Sequence, residues 1–115
     1  MCKYIIYEGI GSNHMIRHEV VLRIKAEMRR EVIERNLVEA CRLLRDIPGV
    51  EQVRYGVNNA PAYRHAMLVI DLPDEEALER FGRHPQHVRA VRIVNRLAES
   101  TAIGSYLMDS ERRNG

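Results

Sequence analysis

Two histidines three residues apart, His84 and His87, flank a proline in the stretch Phe81-Gly82-Arg83-His84-Pro85-Gln86-His87. A neutral imidazole can take a proton from a bound substrate, so the surroundings of these rings decide what the stretch can do. Proline lacks the N–H that the first turn of a helix leaves unpaired, and Pro85 therefore reads as a helix opening. His84 falls at the cap and His87 at the third helical position. There the free N–H groups and the positive end of the helix dipole disfavour an imidazolium. A neutral, proton-accepting His87 is the expectation.

Two further histidines fall on apparent strands. Ile16 to Lys25 alternates, with Ile16, His18, Val20, Leu22 and Ile24 on one face and mostly charged residues on the other. From Tyr63 to Leu72 a second alternation puts Tyr63, His65, Met67 and Val69 on one face, and the run Ala66–Ile70 is apolar on both, as in a central strand. If both histidine-bearing faces look toward the helices, His18, His65 and His87 converge on one pocket with Tyr63 at its rim. The chemistry would then be removal by His87 of a proton alpha to a carbonyl. The apolar cavity would be lined by Val20, Leu22, Met67, Val69, Val88 and Leu97, with His18 and Phe81 beside it. Tyr63 or His65 would hydrogen-bond the enolate oxygen. The alternative is a binding or structural module in which His18 and His65 are hydrogen-bonded core histidines and His84 is only a cap. His84 and His87 could approach one metal ion, but no Asp, Glu or Cys visibly completes a tetrahedral set, and no metal or other cofactor is expected.

The elements that position these residues follow from periodicity. Residues 1–14 stand apart: Tyr4-Ile5-Ile6-Tyr7 could make a short strand, broken by Gly9, Gly11, Ser12 and Asn13, and His14 has no assigned role. After the first long strand the period becomes helical from about Met28 to Ile47, with Ile33, Leu37, Ala40, Cys41, Leu44 and Ile47 on one stripe. Pro48-Gly49 stops it. Val53, Tyr55 and Val57 mark a second strand. Asp74 caps the next helix, which buries Ala77, Leu78 and Phe81. The helix after Pro85 runs to about Ala98 with Val88, Val91, Val94 and Leu97 inward. A last strand, about Thr101 to Met108, shows Ile103, Ser105 and Leu107 on one face, and residues 110–115 are a polar tail. The order strand–helix–strand–strand–helix–strand is the split βαβ, ferredoxin-like one. It predicts an α+β domain over 15–109 with an antiparallel sheet of order 4-1-3-2 and helices on one face. Val21, Ala66, Leu68, Ile70 and Leu72 would then form an uncovered apolar face, and a second copy packed sheet to sheet would hide it.

The chain has 115 residues, 45% hydrophobic and 30% charged, with a net charge of +2. One globular domain accounts for that composition. The small net charge and the arginines interleaved with glutamates argue against a nucleic-acid partner, and the single Phe and absent Trp argue against a stacking platform. The longest apolar run is far short of a membrane span, the N-terminal apolar stretch is too brief for a signal peptide, and Cys2 and Cys41 follow no paired or zinc spacing. A cytoplasmic protein is expected.

Three stretches, Met15 to Lys25, Tyr63-Arg64-His65-Ala66, and Glu75 to Phe81 followed by His84-Pro85-Gln86-His87, together with the Ile47-Pro48-Gly49-Val50 turn, resemble the stress-responsive dimeric α/β-barrel (Dabb) family. The resemblance covers about Met15 to Met108. It implies a ferredoxin-like protomer that pairs into a barrel, in a family that holds stress-induced proteins without an assigned reaction, stable higher oligomers, and a polyketide cyclase working by aldol chemistry. Some relatives bind a divalent ion, and related barrels include oxygenases. In the cyclase the second histidine of HPxH is the general base, and a tyrosine three residues before the motif assists. Here those positions are His87 and Phe81, which lacks the hydroxyl.

Overall fold

β1, Met15–Ile24, is the strand on which the remaining elements assemble. The structure, a computed structural model, describes residues 15–60 and 64–109. After β1 come α1 (Arg30–Arg45), β2 (Gln52–Val57), β3 (His65–Leu72), α2 (Glu75–Arg83), α3 (Pro85–Leu97) and β4 (Ala98–Met108). The strands form one antiparallel sheet in the order β2-β3-β1-β4, the ferredoxin-like arrangement expected. The readings for residues 1–14, Tyr63 and 110–115 lie outside the described residues.

Local chemistry explains most boundaries. Asp74 takes the N–H of Ala77 at 2.8 Å and opens α2. His84 closes α2 through its own N–H to the Phe81 carbonyl and opens α3 by accepting the Gln86 N–H at Nδ1, 3.1 Å away. Gly49, at φ +93°, makes the turn after α1 in a conformation that costs a side-chain-bearing residue dearly. The N-cap of α1 is Arg29, which makes no side-chain capping bond. With no capping residue to mark it, the helix start was expected two residues early. β4 leaves α3 directly at Ala98, also earlier than its alternation suggests.

Register decides which side of each strand the helices cover, because opposed residues of antiparallel strands share a face. His18 stands opposite Ile70, Val20 opposite Leu68 and Leu22 opposite Ala66. Ala66, Leu68, Ile70 and Leu72 therefore lie beneath the helices, with Leu68 and Ile70 each 1% exposed. This corrects the expected facing of β3. The open face carries His65, Met67, Val69 and Asp71, opposite Arg23, Val21, Glu19 and Arg17. The run 66–70 is apolar at every position, so alternation alone does not rank its two sides. Val21 does lie on the open face, as expected. Its neighbour in β4 is Ala102, and Tyr106 stands opposite Arg17.

Asp71 is the one buried charged side chain among the described residues, 5% exposed. Arg17 grips it with two bonds, Nε to Oδ1 at 2.8 Å and Nη2 to Oδ2 at 3.1 Å, and Arg54 stands 3.9 Å from Oδ2. Such pairing offsets the desolvation that a lone buried carboxylate would suffer. The core lies on the other side of the sheet. Leu37, Ala40 and Leu44 of α1, Phe81 of α2, and Ala90, Ile93, Val94 and Leu97 of α3 close over Ile16, Leu22, Leu68 and Ile70.

Candidate active site

His87 and His18 reach the same space from opposite layers. α3 carries His87 in its first turn, and its Nδ1 lies 3.1 Å from the Gly82 carbonyl oxygen. A carbonyl only accepts, so Nδ1 holds the hydrogen and the neutral ring keeps its lone pair at Nε2. β1 carries His18, whose Nδ1 lies 2.7 Å from Ser105 Oγ on β4, directly across the strand pair. Phe81 from α2 stands between the two rings, edge-on to His18 at 5.6 Å between centroids and tilted against His87 at 4.9 Å.

These rings border a cavity of about 70 Å³ between the sheet and the helices. Its floor is apolar: Leu44, Leu68, Ile70, Phe81, Ala90 and Val94 are all buried. Val20 of β1 forms part of the wall. Its mouth opens between α3 and the β4 edge, where Val91, Asn95, Thr101 and Ile103 are exposed. No Asp, Glu, Lys or Arg lines it. Burial sets the protonation of both histidines. Loss of water, reinforced by the nearby His87, lowers the pKa of His18 to about 4. Loss of water lowers that of His87, although the bond to Gly82 works in the opposite direction. Both rings are therefore neutral at pH 7.

Of the residues expected at a site, His18, Val20, Phe81 and His87 meet at this cavity. His65 does not: it lies on the open side of the sheet, five positions along β3 from the residue opposite His18. Met67 and Val69 share that open side. Leu22 and Leu97 are buried beneath the helices but do not border the cavity. Val88 is 46% exposed rather than inward, because the buried stripe of α3 runs through Ala90, Ile93, Val94 and Leu97 and leaves Val88 toward solvent. Tyr63 lies outside the described residues. Sequence reasoning missed Leu68 and Ile70 as floor through the β3 facing. It also missed Ser105, although Ser105 was already placed on the same face as Ile103 and Leu107, and pairing β4 with β1 brings that face to His18. Asn95 and Thr101 carried no sequence signal. The nitrogens of His84 are not both free for a metal, since Nδ1 serves as the cap of α3. Among the described residues no group of three His, Cys, Asp or Glu could hold an ion. Cys41 is buried and its thiol pKa is raised by burial, in keeping with a core role. No helix among the described residues is long and apolar enough to cross a membrane.

Comparison with known proteins places the fold. A dabb family protein with a ferredoxin-like fold from Mesorhizobium loti is 28% identical, with a TM-score of 0.69 over 84% of this chain and 99% of that one. A dimeric ferredoxin-like protein of unknown function from Thermobifida fusca superposes with a TM-score of 0.72 at 18% identity, covering 88% and 97%. The hydroxynitrile lyase of Passiflora edulis does so with a TM-score of 0.73 at 16% identity, covering 88% and 99%. No curated protein sequence matches the chain. The profile of the stress responsive A/B barrel domain matches residues 16–106, nearly the whole of the described fold, and the chain belongs to that family.

Proposed function

We propose that this protein is a homodimer with a small apolar pocket in each protomer, in which His87 serves as general base toward a small neutral carbonyl compound, in lyase-type chemistry. The observation that carries this reading is the fixed tautomer: the Gly82 carbonyl holds the Nδ1 hydrogen and leaves the Nε2 lone pair on a desolvated, neutral ring beside the cavity. In the step proposed, Nε2 takes a proton from the carbon next to the carbonyl. The C–H electron pair becomes the enolate double bond and the negative charge moves to oxygen. His18 can receive that oxygen: when the Ser105 hydroxyl donates to Nδ1, Nε2 carries a hydrogen for it. With a cyanohydrin-type substrate the same Nε2 takes the hydroxyl proton. The O–H electron pair forms the C=O bond, and the bond to the nitrile carbon breaks. Cyanide leaves with the pair of that bond and takes the proton back from His87, so that a carbonyl compound and HCN are the products. The structural likeness to a hydroxynitrile lyase favours that class over polyketide cyclisation. So does size. The cavity of about 70 Å³ is far below the several hundred Å³ of sites that enclose larger ligands, and Phe81 offers no assisting hydroxyl.

The dimer rests on the open face, where Val21, Met67, Val69, Ala102 and Tyr106 lie together around the Arg17–Asp71 pair. Several solved relatives are described as dimeric. The cavity opens on the opposite side of the sheet, so pairing through the open face leaves the mouth clear. A cytoplasmic location suits the buried free thiol of Cys41.

Hydrogen–deuterium exchange at the alpha carbon of butanone, followed by proton NMR in D₂O, tests the chemistry without knowledge of the natural substrate. The protein should accelerate exchange over its His87→Ala variant by roughly 10²- to 10⁴-fold, with little change in melting temperature. Equal exchange by both would overturn the assignment.

A further inference from the structure

The shape of the His18–His87 cavity restricts its ligand more narrowly than the chemistry alone, and this inference rests on the reading just given. A cavity of about 70 Å³ is about half of one that holds benzene (~150 Å³), which leaves room for about three or four non-hydrogen atoms. The reacting carbonyl must therefore stand at or next to the end of its molecule, and everything else must leave through the mouth. There the route is apolar. Val91 of α3, 38% exposed, and Ile103 of β4, 65% exposed, both border the opening, and the exposed Val88 stands one helical turn before Val91 on α3. Exposed side chains of this kind, continuous with a cavity, leave apolar surface that a bound chain would cover. Charge is excluded at the inner end, because no cationic side chain borders the cavity and both histidines are neutral. A carboxylate there would be buried without a partner.

We infer that the ligand is a neutral, unbranched aldehyde or methyl ketone, bound carbonyl first, with its alkyl chain lying between α3 and β4 against Val91 and Ile103. 2-Oxo acids, whose carboxylate adjoins the carbonyl, and wide aromatic polyketides do not fit this description.

The test is a titration of the ¹⁵N-labelled protein with butanone, pentan-2-one, heptan-2-one and nonan-2-one, and with 2-oxopentanoate and heptanoate as charged controls, followed by NMR shifts. Affinity should rise roughly two- to fourfold per added methylene while the chain lies against Val91 and Ile103, up to the limit for a fully buried CH₂. Shifts should centre on His18, His87, Val91 and Ile103, and both carboxylates should bind at least tenfold more weakly than ketones of matched length. The Ile103→Ser variant should flatten the dependence on chain length. Ketone affinity that ignores length, or carboxylates that bind as well, would overturn the inference while leaving the site in place. No shift at His18 and His87 with any ketone would overturn the underlying reading of the cavity as a carbonyl site, and the inference with it.

Discussion

Acid should destabilise this protein through His18, and the size of the effect follows from its surroundings. In the unfolded chain an exposed histidine titrates near 6.5, whereas in the fold burial and the neighbouring His87 bring His18 to about 4. The folded state therefore resists protonation. Its advantage is complete above the unfolded pKa and disappears as pH falls toward the folded one. With these values the loss amounts to about 2 kcal/mol at pH 5 and levels off at roughly 3 kcal/mol below pH 4. His87, lowered in the same direction, adds to it. Urea unfolding at pH 7.5 and pH 5, at one fixed protein concentration because a dimer couples stability to concentration, gives the wild-type loss. The variant His18→Asn keeps a polar group toward Ser105 but does not titrate in this range. It lowers stability at both pH values through lost packing, and that part cancels when the two losses are compared. The wild type should lose about 2 kcal/mol more than the variant between the two pH values. Equal losses would show that His18 titrates normally and that the cavity is wetter than its apolar floor implies.

Adjacent residues of β3 should respond in opposite ways to the same change. Val69→Asp places a charge on the open face and should convert a dimer to a folded monomer, seen as halved mass by light scattering with helical circular dichroism intact. Leu68→Asp buries that charge beneath the helices and should prevent folding. A dimer that survives Val69→Asp would remove the open face as the interface. Asp74→Ala removes the side-chain cap of α2 and should cost about 1 kcal/mol in urea unfolding. A neutral result would mean that water caps the helix equally well.

Much of the fold was legible because its signals were local. The Asp74 cap, the Pro48-Gly49 stop and the alternation of β1 each depend on a few neighbouring residues, and each stands in the structure as read. The facing of β3 was not legible in the same way, since Ala66-Met67-Leu68-Val69-Ile70 offers apolar surface to both sides. One residue did carry the answer: Asp71 shares the parity of His65, Met67 and Val69, and a charge paired with Arg17 belongs on the side away from the helices. The site divides along the same line. His87 could be placed from Pro85 alone, and His18 from the alternation of β1. His65 went to the wrong side with its strand, and Tyr63, which was to share its role, lies outside the described residues. Ser105, Asn95 and Thr101 enter only through the pairing of β4 with β1 and the packing of α3 over the sheet, contacts that no local pattern encodes.

The protonation of His87 decides most directly whether this pocket can do chemistry, and long-range ¹⁵N–¹H NMR of the histidine rings reports it atom by atom. At pH 7 His87 should be neutral, with hydrogen on Nδ1 and a bare Nε2, and should stay so to a pH below 6.5. An imidazolium at pH 7, or a ring with its hydrogen on Nε2, would leave no base facing the cavity and contradict the proposed function.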